Sequence, residues 1–68
     1  SHKRHKIVSR ARHIAMYLAK IYTQDSLIVI AKKFDRLDHS TVVHAYNKIK
    51  KDLSNYNEIS AIESRLLN

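Results

Sequence analysis

The sequence contains no glycine, no proline and no cysteine, and these absences exclude several kinds of protein. Tight turns between strands usually require glycine or proline, so an all-helical fold is favoured over a β-rich one. Without cysteine there are no disulfides and no thiolate ligands or nucleophiles. With 68 residues there is room for one small domain, which must be stabilised by helix packing.

Large aromatic residues and long apolar runs are also scarce. There is one Phe and no Trp, and the longest apolar run, residues 14–19, is far shorter than the ~20 residues of a membrane span. A helix lying on a lipid surface would need a broad apolar face with large aromatic residues. We therefore expect no membrane partner. Because no apolar signal core follows the basic N-terminus, we also expect a cytoplasmic protein.

Positive charge is what the sequence has in excess. Thirteen lysines and arginines stand against six acidic residues, for a formal net charge of +7. Such a small basic surface attracts polyanions, so nucleic acid is the leading partner on charge alone. The alternative is a basic helical interaction module that docks an acidic regulatory protein, with Ile28 and Val29 as apolar contacts. The isolated domain is expected to be a monomer.

Apolar residues recur with helical spacing in four segments, which predicts helices at about 9–23, 26–34, 38–52 and 57–67. Residues 1–6 contain no apolar side chain and are predicted to form a flexible basic arm. Residues 7–68 are predicted to form the domain, as a fragment of a larger protein. The faces predicted to be buried comprise Ala11, Ile14, Ala15, Leu18, Ile21 and Tyr22, then Leu27, Ile30, Ala31 and Phe34, then Val42, Ala45, Tyr46, Ile49 and Leu53, and finally Ile59, Ile62 and Leu66.

The second and third predicted helices are separated by only three residues, 35–37, which is typical of a helix-turn-helix. The residue that ends a helix at such a turn often adopts the left-handed conformation, and Asp35 tolerates it at modest cost. Asp38 is placed to cap the following helix. The small polar residues after it would then form the exposed tip of that helix.

That tip carries side chains suited to reading base edges. Ser40 and Thr41 can both donate and accept hydrogen bonds, and the Thr41 methyl can pack against thymine. Asp38 could accept from a cytosine amino group or serve only as the cap, and the two roles are compatible. His39 can donate to purine or phosphate acceptors, and Lys48, further along the helix, would meet phosphates or nothing.

Catalysis and metal binding receive little support. The acidic residues form no obvious pair, and serine and histidine occur in no recognisable catalytic motif, so we expect no catalytic residues and no enzyme. His39 and His44 point about 140° apart on a helix, and His2 and His5 lie in the predicted arm. No metal site is therefore expected.

Two segments carry a family resemblance: RARHIAMYLAK at residues 10–20 and FDRLDHSTVVHA at residues 34–45. Together they resemble the C-terminal DNA-binding domain of the bacterial replication initiator DnaA, and the likeness extends from about residue 3 to residue 51. The resemblance implies sequence-specific binding of DnaA boxes at the replication origin. It also implies a separate ATPase module, so ATP is expected on that module and no cofactor on this fragment.

The resemblance also implies site residues. Base contacts in the major groove would come from Asp38, His39, Ser40 and Thr41, and Arg4 would enter the adjacent minor groove. Phosphate contacts would come from Arg12, His13 and Lys20, which share one polar arc of the first predicted helix by periodicity alone. The turn departs from the family, because Asp35 replaces the usual Gly and Leu37 a basic residue. Arg36 is the candidate to replace that basic residue. Ala11 replaces the family's proline, which allows a longer start to the first helix, and His13 replaces a glutamine.

Overall fold

The all-helical prediction is confirmed. The computed structural model describes residues 2–67, and in that range the regular elements are four α-helices and one short 3-10 turn. In chain order they are α1 (His2–Tyr22), α2 (Leu27–Lys33), α3 (Ser40–Lys51), the 3-10 turn (Leu53–Asn55) and α4 (Asn57–Leu67). The α2–turn–α3 unit is the predicted helix-turn-helix.

Helix α1 begins much earlier than predicted, since residues 2–6 form its first turns rather than a flexible arm. Lysine, arginine and histidine tolerate helix, and there is no proline or glycine to interrupt it before residue 9. Ser9, the predicted start, does not cap the helix; its Oγ accepts a hydrogen bond from Arg12 Nη2 at 3.2 Å. Apolar periodicity marks where a helix is buried, and here the helix continues beyond its buried part.

The core consists of two clusters, one on either side of α1. The first joins α1 to α3 and α4 through Ile14, Tyr17, Ile49, Tyr56 and Ile59. The second joins α1 to the helix-turn-helix through Met16, Ile30, Ala31, Val42 and Ala45. Helix α3 contributes to both, so the position of its N-terminal tip is fixed by the whole core.

The predicted buried face of α1 was only partly correct. Ile14 is buried as expected, but Ala11, Ile21 and Tyr22 are exposed, and Met16, which was outside the predicted stripe, is 1% exposed. Residues 14 and 16 lie about 200° apart around a helix. A single stripe could not include both, because α1 packs against different helices on two sides.

Smaller corrections concern the end of the chain. Leu53 and Leu66 were predicted to be buried and are 44% and 61% exposed. Tyr56, which lies between the third and fourth predicted helices, is buried, with 7% of its surface exposed. Its ring packs under the guanidinium of Arg10, whose Cζ lies 4.3 Å from the ring centroid.

Polar contacts between α1 and α4 complete the fold. Arg10 donates to both carboxylate oxygens of Glu58, at 2.6 and 3.0 Å, and to the backbone carbonyl of Asn55. The Tyr22 hydroxyl donates to Glu63, further along α4. The bidentate Arg10–Glu58 pair has the geometry in which a partly exposed ion pair still contributes to stability.

This ion pair predicts a pH-dependent stability. The hydrogen bond from Arg10 lowers the pKa of Glu58 from 4.5 to about 2. A carboxylate with a lowered pKa stabilises the fold above its ordinary pKa, and that contribution is lost as the pH falls from 4.5 through 2. We expect Glu58→Gln to lower the Tm at pH 7, and the difference from wild type to shrink over this range. Thermal unfolding followed by circular dichroism at several pH values measures it; a difference independent of pH would contradict the assignment.

Candidate nucleic-acid interface

The turn between α2 and α3 is fixed by backbone hydrogen bonds. The Arg36 N–H donates to the Ala31 carbonyl at 2.9 Å, and the Asp35 N–H donates to the Lys32 carbonyl at 3.0 Å. This pair of bonds is the Schellman motif. Asp35 has a φ of +57°, as the sequence predicted for this position. An aspartate therefore fills a place that favours glycine, and the turn keeps a defined shape.

Asp38 is hydrogen-bonded to the start of α3. Its Oδ1 accepts a hydrogen bond from the Ser40 N–H at 2.9 Å, and its backbone carbonyl accepts one from Thr41 Oγ1 at 3.2 Å. The bond from Ser40 lowers the pKa of Asp38. The predicted bond from the Asp38 carboxylate to the start of α3 is present, but the helix begins two residues later, at Ser40. The residue at the N-cap position is His39, whose side chain makes no capping bond.

The tip of α3 faces outward. The side chains of Asp38 and His39 are 69% and 53% exposed, and Ser40 and Thr41 are half-buried. Val42, immediately after them, is completely buried in the second core cluster. The four residues predicted to contact DNA bases thus form one polar tip, and the helix is buried in the core directly after it. Hereafter Asp38, His39, Ser40 and Thr41 are called the α3 tip.

Several predicted phosphate-contacting residues come close together beside α1. The pKa of His13 is lowered, first by partial burial and then by the nearby positive charges of Lys48, Arg12 and Arg36. These residues come from α1, from the turn and from α3. Four cationic or polar side chains converging from three elements form a site with a strong positive field. The lowered pKa of His13 favours the neutral imidazole, whose ring N–H can donate a hydrogen bond to an anion.

A cleft of about 440 Å³ lies next to His13 and extends the basic surface towards the start of α1. Its lining includes residues that sequence reasoning had not assigned to the site: His2, His5, Lys6 and Ser9, together with Arg10 and Tyr56. Together with His13, the first four of these recur at helical spacing, so they lie on one face of α1. This spacing is visible in the sequence, but it indicates a shared face only if the helix is extended to residue 2.

Lys20 lies further along α1, near a different feature. Its Nζ is 4.8 Å from the centroid of the Tyr46 ring, and Lys50 Nζ is 5.5 Å from the same ring. Tyr46 in turn stacks on Tyr17, with ring centroids 5.6 Å apart. The aromatic pair therefore supports two cations through cation–π contacts. Lys50 was not among the predicted site residues.

Arg4, predicted to contact bases, is exposed in the first turns of α1 beside His5 and Val8. It is separated in sequence from His13 by more than two helical turns. Arg4 therefore lies further towards the N-terminus of α1 than the basic residues around His13.

Among residues 2–67, no group of three histidine or acidic side chains is close enough together to hold a metal ion. In the same range, none of the helices combines the length and apolar character needed to cross a membrane.

A helix with an outward polar tip, joined through a short fixed turn to a preceding helix and flanked by a basic cluster, defines a helix-turn-helix of the DNA-binding class. The family model for the bacterial dnaA protein helix-turn-helix matches residues 1–49. The chain belongs to this family.

Curated relatives named chromosomal replication initiator protein DnaA are also similar to the chain. The chain is 50% identical over 50 residues to that of Rickettsia bellii, covering 74% of this chain and 11% of the relative. It is 54% identical over 52 residues to that of Streptococcus thermophilus, covering 76% and 12% respectively. The protein of Streptococcus agalactiae is 56% identical over 48 residues, covering 71% and 11%. The match thus spans about a tenth of the relatives' length. No solved structure matches the chain.

Proposed function

We propose that this domain binds DnaA boxes in double-stranded DNA, with α3 in the major groove and the start of α1 at the adjacent minor groove. The observation that carries the proposal is that the polar α3 tip faces outward while the helix is fully buried directly after it, at Val42. A tip packed inside the protein could not reach base edges. Here the core holds α3 through Val42 and Ala45, while Asp38 and His39 are exposed and Ser40 and Thr41 are half-buried.

Each residue of the α3 tip has a chemical role in this proposal. Ser40 and Thr41 hydrogen-bond to base edges, and the Thr41 methyl packs against thymine. The Asp38 Oδ1 already accepts from Ser40 N–H, so its second oxygen is the one available to a cytosine amino group. His39 donates to a purine acceptor or to a phosphate.

The basic cluster would hold the DNA backbone. Arg12, His13, Arg36 and Lys48 converge on one part of the surface, and in the proposal they contact the phosphates flanking the major groove. Lys20 would contact a phosphate further along, held in place by the Tyr46 ring. These contacts set affinity and orientation but carry no sequence information.

For Arg4 to reach the minor groove, the start of α1 must change its conformation. The minor groove is about 6 Å wide and a helix with side chains about 10 Å across, so α1 cannot enter the groove as a helix. The first turns of α1 make little apolar contact, since Ile7 and Val8 are 60% and 54% exposed. We propose that these turns unwind on DNA and that Arg4 then reaches the minor groove in an extended segment.

The proposal is tested by titrating the chain with a DnaA-box duplex and with a scrambled duplex of the same composition, at fixed salt. The box is expected to bind at least tenfold more tightly. Repeating the titration at several salt concentrations should give a slope of log K against log salt near −0.9 per neutralised phosphate. Equal affinity for the two duplexes would overturn the proposal.

A matched pair of variants isolates the phosphate contacts. Lys48→Ala removes a charge from the basic cluster, whereas Arg65→Ala removes one from α4, which contributes none of the proposed contacts. Lys48→Ala is expected to weaken box and scrambled duplexes by the same factor and to reduce the salt slope by about 0.9. Arg65→Ala should leave the slope unchanged.

The wider setting is also a proposal, because the chain matches only a small part of its relatives. A helix-turn-helix domain of this family is a DNA-binding module rather than a catalytic one, and we propose that ATP binds to a separate module of a longer protein. The domain on its own is expected to be monomeric. A cytoplasmic location also stays a prediction.

A second candidate function is docking of an acidic regulatory protein. It is favoured by one observation: Ile28 and Val29, which lie outside the buried stripe of α2, are 57% and 39% exposed. If this surface binds a partner, alanine at both positions should abolish that binding and leave DNA affinity intact. The two functions are compatible, because none of the proposed DNA contacts lies on α2.

A further inference from the structure

Leu37 is the most exposed apolar residue described in this domain, with a relative exposure of 108%. It lies in the turn between α2 and α3, directly before Asp38. Every other large apolar residue in the described chain keeps at least a quarter of its surface covered. An isolated exposed leucine needs no explanation on most surfaces. Here, however, it sits at the edge of the surface proposed to face DNA.

The backbone around Leu37 is held on both sides. Before it, the Arg36 N–H is bonded to the Ala31 carbonyl at 2.9 Å. After it, the Asp38 carboxylate is bonded to the Ser40 N–H at 2.9 Å. The Leu37 side chain is therefore presented outward from a defined backbone and does not depend on a loose loop for its position.

The chemistry of this side chain restricts what it can contact on DNA. A leucine can neither neutralise a phosphate nor hydrogen-bond to a base. In the major groove the apolar group on the base edges is the C5-methyl of thymine. Contact with it would cover apolar surface on both partners.

We propose that Leu37 is a specificity-determining residue that recognises a thymine by packing against its C5-methyl group, at a base pair next to those read by the α3 tip. This inference rests on the proposed function, since it requires α3 to enter the major groove. It adds a base contact from the turn, and an apolar one, to the polar contacts of the helix.

The test removes the methyl group and the leucine separately and together. The duplex that the wild-type chain selects from a randomised pool is prepared with each thymidine replaced in turn by deoxyuridine, which lacks only the methyl. Affinities of wild type and Leu37→Ala are measured by fluorescence anisotropy at fixed salt. At one thymine, we expect deoxyuridine to weaken wild-type binding about three- to fivefold. The same replacement should leave Leu37→Ala binding unchanged.

Ile28→Ala is the matched control, because it also truncates an exposed apolar residue but on α2. It should retain the full wild-type response to every deoxyuridine. Leu37 makes no core contact, so its truncation should not unfold the domain; an unchanged Tm checks this.

The outcomes separate this inference from the proposed function. If, at every thymine, deoxyuridine causes the same fold-loss of affinity for Leu37→Ala as for wild type, the two changes act independently. In that case the inference is overturned while sequence-specific binding stands. The same holds if Leu37→Ala weakens selected and scrambled duplexes equally, which would indicate contact with the sugar–phosphate backbone. If the wild-type chain selects no sequence from the pool, the proposed function and this inference both fall.

Discussion

Replacing Ser40 and Thr41 together by alanine is expected to reduce the preference for a DnaA box over scrambled DNA by about 10- to 100-fold. A good bidentate contact to a base edge contributes about 1–3 kcal/mol of discrimination, and a single hydroxyl contact lies near the lower end of that range. Removing two such contacts therefore costs about 2 kcal/mol, or roughly 30-fold. The affinity for scrambled DNA should change little, since the basic cluster is intact. The salt slope should also be unchanged, because no phosphate contact has been removed. Competition titrations with the two duplexes measure the ratio.

The control for this variant must show that α3 is still formed. Alanine is a good helix former, and Asp38 keeps its bond to the Ser40 backbone N–H, so the helix should persist. Ser60→Ala on α4 truncates an exposed serine away from the tip and should alter neither affinity. Parallel losses on both duplexes, with the Tm preserved, would mean that the α3 tip contacts backbone rather than bases.

Ile49→Ala is expected to destabilise the domain by about 3 kcal/mol. Ile49 is completely buried and belongs to the cluster that joins α1, α3 and α4. Truncating a buried isoleucine costs about 2–5 kcal/mol, through lost transfer energy and the cavity left behind. For a domain of this size, that corresponds to a fall in Tm of more than about 10 °C. Thermal unfolding by circular dichroism provides the measurement, and DNA affinity at low temperature should fall only as the folded fraction does.

The same substitution on the surface provides the comparison. Ile28→Ala removes the same atoms from a side chain that is 57% exposed, and should cost no more than about 0.5 kcal/mol. If the two variants shift the Tm equally, the cluster around Ile49 does not hold the helices together as described.

The helix-turn-helix itself could be predicted closely from local rules. The apolar stripe Leu27, Ile30, Ala31 and Phe34, the left-handed Asp35 and the bond from Asp38 to the start of α3 all appear where the sequence predicted them. These features depend on residues within a few positions of one another, so periodicity and capping preferences are enough to find them.

The α1 helix was harder for two distinct physical reasons. The predicted start, at about residue 9, was placed where the apolar pattern begins. The helix itself starts at His2, because lysine, arginine and histidine are compatible with helical structure. Its buried face was predicted too narrow, because Met16 meets the helix-turn-helix while Ile14 meets α4. A helix that packs on two sides has two apolar faces, and the search for a single apolar stripe finds only one of them.

By itself the sequence determined the helical class, the helix-turn-helix with its polar tip, and the basic character of the surface, because these follow from composition and short-range spacing. Only the tertiary structure decided which residues meet across elements. It brought Arg12, His13, Arg36 and Lys48 together, placed Arg10 on Tyr56 and Glu58, and left Leu37 uncovered. Such contacts join residues up to 48 positions apart. Their occurrence depends on how the helices pack, which no local pattern specifies.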